Sequence, residues 1–219
     1  MNRIGTDESG KGDYFGPLVV AAVYVGDDEA KLKKLGVKDS KKLSDPKALE
    51  LAEEIKKSSP YDIVRINPEK YNKLHEKFGN LNILLAWAHA RAIENLLAKV
   101  EAKKVISDQF GDEKYLKEKL MKKGKKVELI QMHRAESDTA VAAASVVARA
   151  AFLDSLAYLS RTYGIQFPKG ATHVEHQGRM FIAAYGQERL KEVAKVHFKT
   201  TQRIMPGSAR DGSSPLQKS

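Results

Sequence analysis

The sequence predicts an α/β domain in which helices are layered on a mixed β-sheet. Three observations carry this. Strands come first: residues 18–25, "LVVAAVYV", form the Val- and Ala-rich run of a buried strand. The bend before it is punctuated by Gly10, Gly12 and Gly16-Pro17, which makes the first two strands hairpin-like. Helical and strand patterns then alternate along the rest of the chain, as in sheets covered by helices.

Each element has a local reason. Residues 3–6 and 18–25 read as strands around the glycine bend. In "DSKKLSDPKALELAEEIKKS" a loop leads into a helix, with Ser44 as N-cap and Pro46 in the first turn. "YDIVRI", 61–66, alternates like a strand. Two helices follow, broken near Gly79-Asn80. The second carries Leu84, Leu85, Ala88 and Ile93 on an apolar stripe, and Trp87 reads as core. "KKVISD", 103–108, is a short strand ending in an acid. A basic amphipathic helix covers roughly 114–123, and "KVELIQM" is the next strand. Residues 139–159 make a long helix, alanine-rich at its start, and 175–184 and 187–195 are helical. The tail "PGSARDGSSPLQKS", 206–219, is rich in Gly, Ser and Pro and reads as disordered. The expected organisation is one catalytic domain, 1–205, and that tail.

Composition narrows the chemistry. The 219 residues hold 38 Lys and Arg against 28 Asp and Glu, a net charge of +10. Such a balance favours polyanionic partners through the field and counterion release. There are no cysteines, so disulfides, zinc-thiolate sites and cysteine nucleophiles are excluded. The longest apolar run, 17–25, is too short to span a bilayer. The expectation is a soluble, cytoplasmic protein with no membrane partner.

Against this basic background, acids stand at element ends. Asp7 and Glu8 end the first strand, Asp108 ends the fourth, and Glu136 and Asp138 lie between the fifth strand and the long helix. Ligand sites in open sheets gather at strand ends. Successive strand residues point to opposite faces, so Asp7 and Glu8 share one site only if the chain bends between or just after them. Clustered carboxylates repel unless a cation neutralises them or some are protonated. Oxygen ligands without His or Cys suit Mg²⁺ or Mn²⁺. Two such ions about 4 Å apart activate water and stabilise the leaving oxygen of a phosphodiester. Each acid taken alone is more often a turn residue or helix cap.

"GTDESGKGDYFGPLVVAA" closely resembles the first motif of the type 2 ribonucleases H. "DSKKLS" resembles their second shared segment, "ISDQF" the strand with the third acid, and "HRAESDTAVAAASVVARAAFL" the fourth acid and its AAAS helix. The matches run in the family's order over residues 3 to about 205. Gly10-Lys11-Gly12 followed by "DYFGP", and the ending "VAKVHFKTTQ", resemble ribonuclease HIII more than HII. "FPKGATHVEH" lacks the tyrosine that HII uses at RNA–DNA junctions. Ribonuclease HIII usually carries a further N-terminal substrate-binding domain, whereas this chain starts at the first catalytic strand.

The resemblance implies the ribonuclease H fold, a central five-stranded mixed sheet flanked by helices, with C-terminal helices. It implies endonucleolytic hydrolysis of the RNA strand of RNA/DNA hybrids, leaving 3′-hydroxyl and 5′-phosphate ends; a monomer is expected. Asp7, Glu8, Asp108 and Glu136 would hold two Mg²⁺ or Mn²⁺ ions, with Asp7 bridging. Asp138 is the other candidate for the fourth acid, but a helix cap explains it well. Ser9, Gly10, Lys11 and Gly12 would meet the minor groove, where 2′-hydroxyls mark RNA. Ser40, Lys41, Lys42 and Arg134 are candidate substrate contacts, and Arg149 could also reach the backbone. His133 and Ser145 are expected to be structural. The alternatives are incision at single embedded ribonucleotides and a non-catalytic nucleic-acid-binding module.

Overall fold

The five strands form one sheet in the order β3-β2-β1-β4-β5. They are β1 (Arg3–Ser9), β2 (Leu18–Val25), β3 (Tyr61–Ile66), β4 (Lys104–Asp108) and β5 (Glu128–Met132). The first three are antiparallel, whereas β4 and β5 run parallel to β1. This mixed five-stranded sheet matches the expected fold. The computed structural model describes residues 2–37 and 43–205. The expected tail lies outside these residues.

Helices cover both faces. On one lie α1 (Glu29–Lys34), α2 (Asp45–Ser58) and the long α6 (Thr139–Tyr163). On the other lie α3 (Pro68–Phe78), α4 (Leu81–Leu97) and α5 (Glu113–Lys119). The chain ends with α7 (Glu175–Tyr185), a 3₁₀ stretch Gln187–Glu192, and α8 (Lys199–Ile204). Alternate β2 residues serve two cores. Val19, Ala21 and Val23 pack under α6, and Leu18, Val20 and Ala22 pack under α4. That is why this strand reads as a continuous apolar run.

Local signals set most boundaries. Gly79, with φ of 62°, ends α3, and the Asn80 side chain caps α4. Asp138 caps α6 by accepting the Ala140 N–H at 2.8 Å. Helix α6 is long and apolar enough to cross a membrane, but 67% of its most apolar window is buried in the protein.

Two short helices, α1 and α8, are additions to the sequence expectation. At six residues each they show too little periodicity to be recognised. The first strand is longer than expected, reaching Ser9. Its ladder with β2 continues through Asp7↔Ala21, Glu8↔Val20 and Ser9↔Val19. The two acids therefore lie inside the strand, because β2 offers backbone partners up to Leu18.

Candidate active site

One position sets the relation between sheet and helix. A Cβ added to Gly5 would lie 2.1 Å from the backbone carbon of Ala140. With none there, the α6 backbone lies directly on β1. Asp7, two residues on, shares that face. Its carboxylate accepts the Glu8 N–H at 2.9 Å and a hydrogen bond from the Ser145 hydroxyl. Ser145 therefore points at Asp7 and is not the packing residue expected from its alanine-rich surroundings.

Thr6 and Glu8 face the other side, toward α4. There His89, fully buried, contacts both: Nδ1 lies 3.0 Å from the Thr6 hydroxyl, and Nε2 lies 3.2 Å from Glu8 Oε2. Lys11 Nζ meets the other Glu8 oxygen at 3.2 Å. The bend thus comes after Ser9, and Asp7 and Glu8 reach the strand end from opposite faces.

The parallel pairing of β1 and β4 ends at Thr6↔Ser107, so Asp7 and Asp108 follow the last pair of the ladder. Asp108 Oδ1 accepts the Ala135 N–H at 3.2 Å. This bond ties the 3₁₀ turn Ala135–Ser137, which carries half-buried Glu136, to the end of β4. Asp138 is committed elsewhere. Besides capping α6, its Oδ2 accepts from Arg3 Nε at 2.7 Å. Arg134 is exposed and takes a left-handed backbone, φ 55°, at the start of the turn.

The electrostatics divide the adjacent acids. Burial, then the neighbouring Glu8 charge, pushes the Asp7 pKa up to about 6. Burial acts on Glu8 too, but the His89 and Lys11 contacts outweigh it and hold the pKa down at about 2. Among the described residues no three Asp, Glu or His side chains are arranged to hold a metal ion. Protein donors hold Glu8 and Asp108 instead. The donor chemistry nonetheless fits a hard divalent cation. It is all oxygen, and a cation would relieve both the burial and the like-charge cost at Asp7.

The glycine loop is built from the far end of the chain. Lys195, fully buried, donates through Nζ to the Asp13 carbonyl at 2.8 Å and the Gly16 carbonyl at 2.7 Å. The Gly170 N–H donates to Asp13 Oδ1 at 2.6 Å. Gly10 has φ of 85°, and a Cβ there would lie 2.1 Å from the Pro17 carbonyl oxygen. Gly12 differs: nothing lies within 4 Å of its added Cβ. The fold requires Gly10 but not Gly12. The latter leaves exposed backbone open to close approach.

Other candidates fall differently. Ser9 is the last paired residue of β1. Ser40, Lys41 and Lys42 lie outside the described residues. Arg149 Nη2 donates to the Leu43 carbonyl and pairs with Asp45 at 2.7 Å, anchoring the start of α2. His133 is exposed, so it is not a core residue. Leu84 and Leu85 are buried, with partly buried Trp87 packed beside them, as expected. His89 and Ser145 are the site residues that sequence reasoning missed.

The sequence profile of the ribonuclease HII family matches residues 4–201. The chain belongs to the ribonuclease HII family. Within this ribonuclease family, it is 50% identical over 205 residues to a ribonuclease HIII of Protochlamydia amoebophila, covering 93% of this chain and 68% of the relative. It is 48% identical over 211 residues to the ribonuclease HIII of Chlamydia pneumoniae, covering 94% and 70%. The crystal structure of Bst-RNase HIII in complex with Mn²⁺ superposes with a TM-score of 0.85 at 34% identity, covering 93% of this chain and 69% of that one. RNase H3 of Aquifex aeolicus gives 0.73 at 31% identity, covering 89% and 71%. The chain thus spans about two thirds of the length of these HIII relatives.

Proposed function

We propose that this chain is an endonuclease that hydrolyses the RNA strand of RNA/DNA hybrids, leaving 3′-hydroxyl and 5′-phosphate ends. One observation carries the reading. Asp7, Glu8 and Asp108 stand at adjoining strand ends, and the Ala135 N–H bond to Asp108 brings the Glu136 turn to the same edge. The net charge of +10 supports a polyanionic substrate. The HIII relatives and the Mn²⁺ complex of a family member support the substrate class and the metal.

Asp7, Glu8, Asp108 and Glu136 would hold Mg²⁺ or Mn²⁺. When bound, the metal lowers the pKa of water and stabilises the leaving oxygen. The chain's own residues hold these groups in place. Ser145 and the Glu8 N–H orient Asp7, His89 and Lys11 hold Glu8, and the Ala135 N–H holds Asp108. The open backbone at Gly12 would admit the minor groove, where 2′-hydroxyls identify RNA. Arg134, exposed beside the turn, would meet a phosphate. The protein would act as a monomer. The large exposed apolar side chains among the described residues are Met121, Met132, Tyr158 and Met180.

The test is cleavage of end-labelled duplexes in Mg²⁺ or Mn²⁺, with Asp7→Asn as control. A continuous RNA strand against DNA should be cut by the wild type and spared by the variant. Efficient incision only at a single ribonucleotide within DNA would move the activity to the other branch of the family. Binding without cleavage of either duplex would overturn the enzymatic reading.

A further inference from the structure

His89 is a buried imidazole that composition and motif spacing leave without a role. We propose that His89 is a positioning residue that fixes the Glu8 carboxylate for divalent-metal binding. The inference rests on the proposed function, since it deepens the reading of the same site.

Three contacts immobilise the ring. Nδ1 lies 3.0 Å from the Thr6 hydroxyl and Nε2 lies 3.2 Å from Glu8 Oε2. The ring also stacks on Phe110, centroids 4.7 Å apart and planes at 29°. Phe110 lies two residues beyond Asp108, so the imidazole is wedged between the strand ends that carry two of the acids. An ionised carboxylate only accepts hydrogen bonds, so Nε2 carries the hydrogen. Flipping the ring would break both polar contacts.

The two Glu8 oxygens are therefore unequal. Oε2 is pinned by a donor that is 0% exposed, while Oε1 meets Lys11, whose side chain is 42% exposed. Lys11 can turn to solvent or to a phosphate, but His89 cannot move. Oε1 would thus be the oxygen free to turn toward a cation, while Oε2 stays held by His89. Partners of this kind, behind a ligand, orient it and raise metal affinity. The two ring nitrogens have different partners: Nδ1 meets Thr6, and Nε2 meets the Glu8 carboxylate.

That difference supplies the test. In His89→Gln the amide nitrogen replaces Nε2 and keeps the bond to Glu8. In His89→Asn the amide oxygen replaces Nδ1 and accepts only the Thr6 hydroxyl. Mn²⁺ binding by the whole chain is measured from the electron paramagnetic resonance signal of free Mn²⁺, with thermal unfolding alongside. His89→Asn is expected to bind Mn²⁺ roughly tenfold to a hundredfold more weakly, and His89→Gln to stay within about threefold of wild type. Raising Mn²⁺ should restore kcat on an RNA/DNA hybrid in His89→Asn, with KM for the hybrid unchanged.

Wild-type Mn²⁺ affinity in His89→Asn would overturn the proposal. So would equal losses in both variants that follow their loss of Tm. A wild-type protein that neither binds Mn²⁺ nor cuts the hybrid would overturn the proposed function, and this inference with it. A wild type that does both, beside an unaffected His89→Asn, would remove only the role of His89.

Discussion

Gly5 and Ala140 are in backbone contact, so close that a Cβ on Gly5 would lie 2.1 Å from the Ala140 carbonyl carbon and 2.2 Å from the Val141 nitrogen. The neighbour here is helix backbone, which cannot yield as a flexible side chain would. Gly5→Ala should therefore push α6 away from β1 and disturb the Ser145 contact to Asp7. Overpacking of this kind costs roughly 1–3 kcal/mol or more. The expected outcome is a lowered Tm together with a loss of kcat, read by calorimetry and hybrid cleavage.

Asp7 should make the metal-free protein less stable at alkaline pH. Its folded pKa, about 6, lies above the unfolded value of 3.8. The neutral form is favoured on folding, so its stability is fully present below 3.8 and is lost as pH rises through 6. The difference amounts to about 3 kcal/mol at pH 8 and about half that at pH 5. Asp7→Asn should abolish cleavage yet unfold at a higher temperature than wild type in chelator at pH 8. Its advantage should shrink at pH 5. An advantage independent of pH would contradict the assignment.

Glu136 and Asp138 should separate by function. Asp138 caps α6 and pairs with Arg3 at 2.7 Å, both structural tasks. Asp138→Ala should lose about 1 kcal/mol or more through the cap alone, and retain cleavage at a temperature where it is folded. Glu136→Gln should remain folded and lose cleavage by orders of magnitude. The reverse pattern would make Asp138 the fourth acid.

Gly10 and Gly12 should also separate. Alanine at Gly10 meets the Pro17 carbonyl oxygen at 2.1 Å and requires φ near 85°, so the fold should suffer. Alanine at Gly12 meets nothing within 4 Å and should leave the folding free energy within about 0.5 kcal/mol of wild type. If the hybrid approaches this backbone, Gly12→Ala should raise KM several-fold. Unchanged KM would remove Gly12 from the substrate surface.

The sequence by itself determined the order of the strands and of the longer helices, the glycine bend and the break at Gly79-Asn80. These depend on nearest neighbours: apolar period, turn residues and caps. It also placed Asp108 at a strand end and favoured a cap role for Asp138, since both follow from local pattern. Only the tertiary structure decided what faces the acids. Whether β1 stops at Thr6 or runs to Ser9 depends on the backbone partners that β2 supplies. Ser145 looks like part of an apolar run until Gly5 brings α6 against β1 and turns the hydroxyl toward Asp7. His89 lies 81 positions from Glu8, and Arg3 lies 135 positions from Asp138. No local period relates such pairs, because their meeting is fixed by how sheet faces and helices pack.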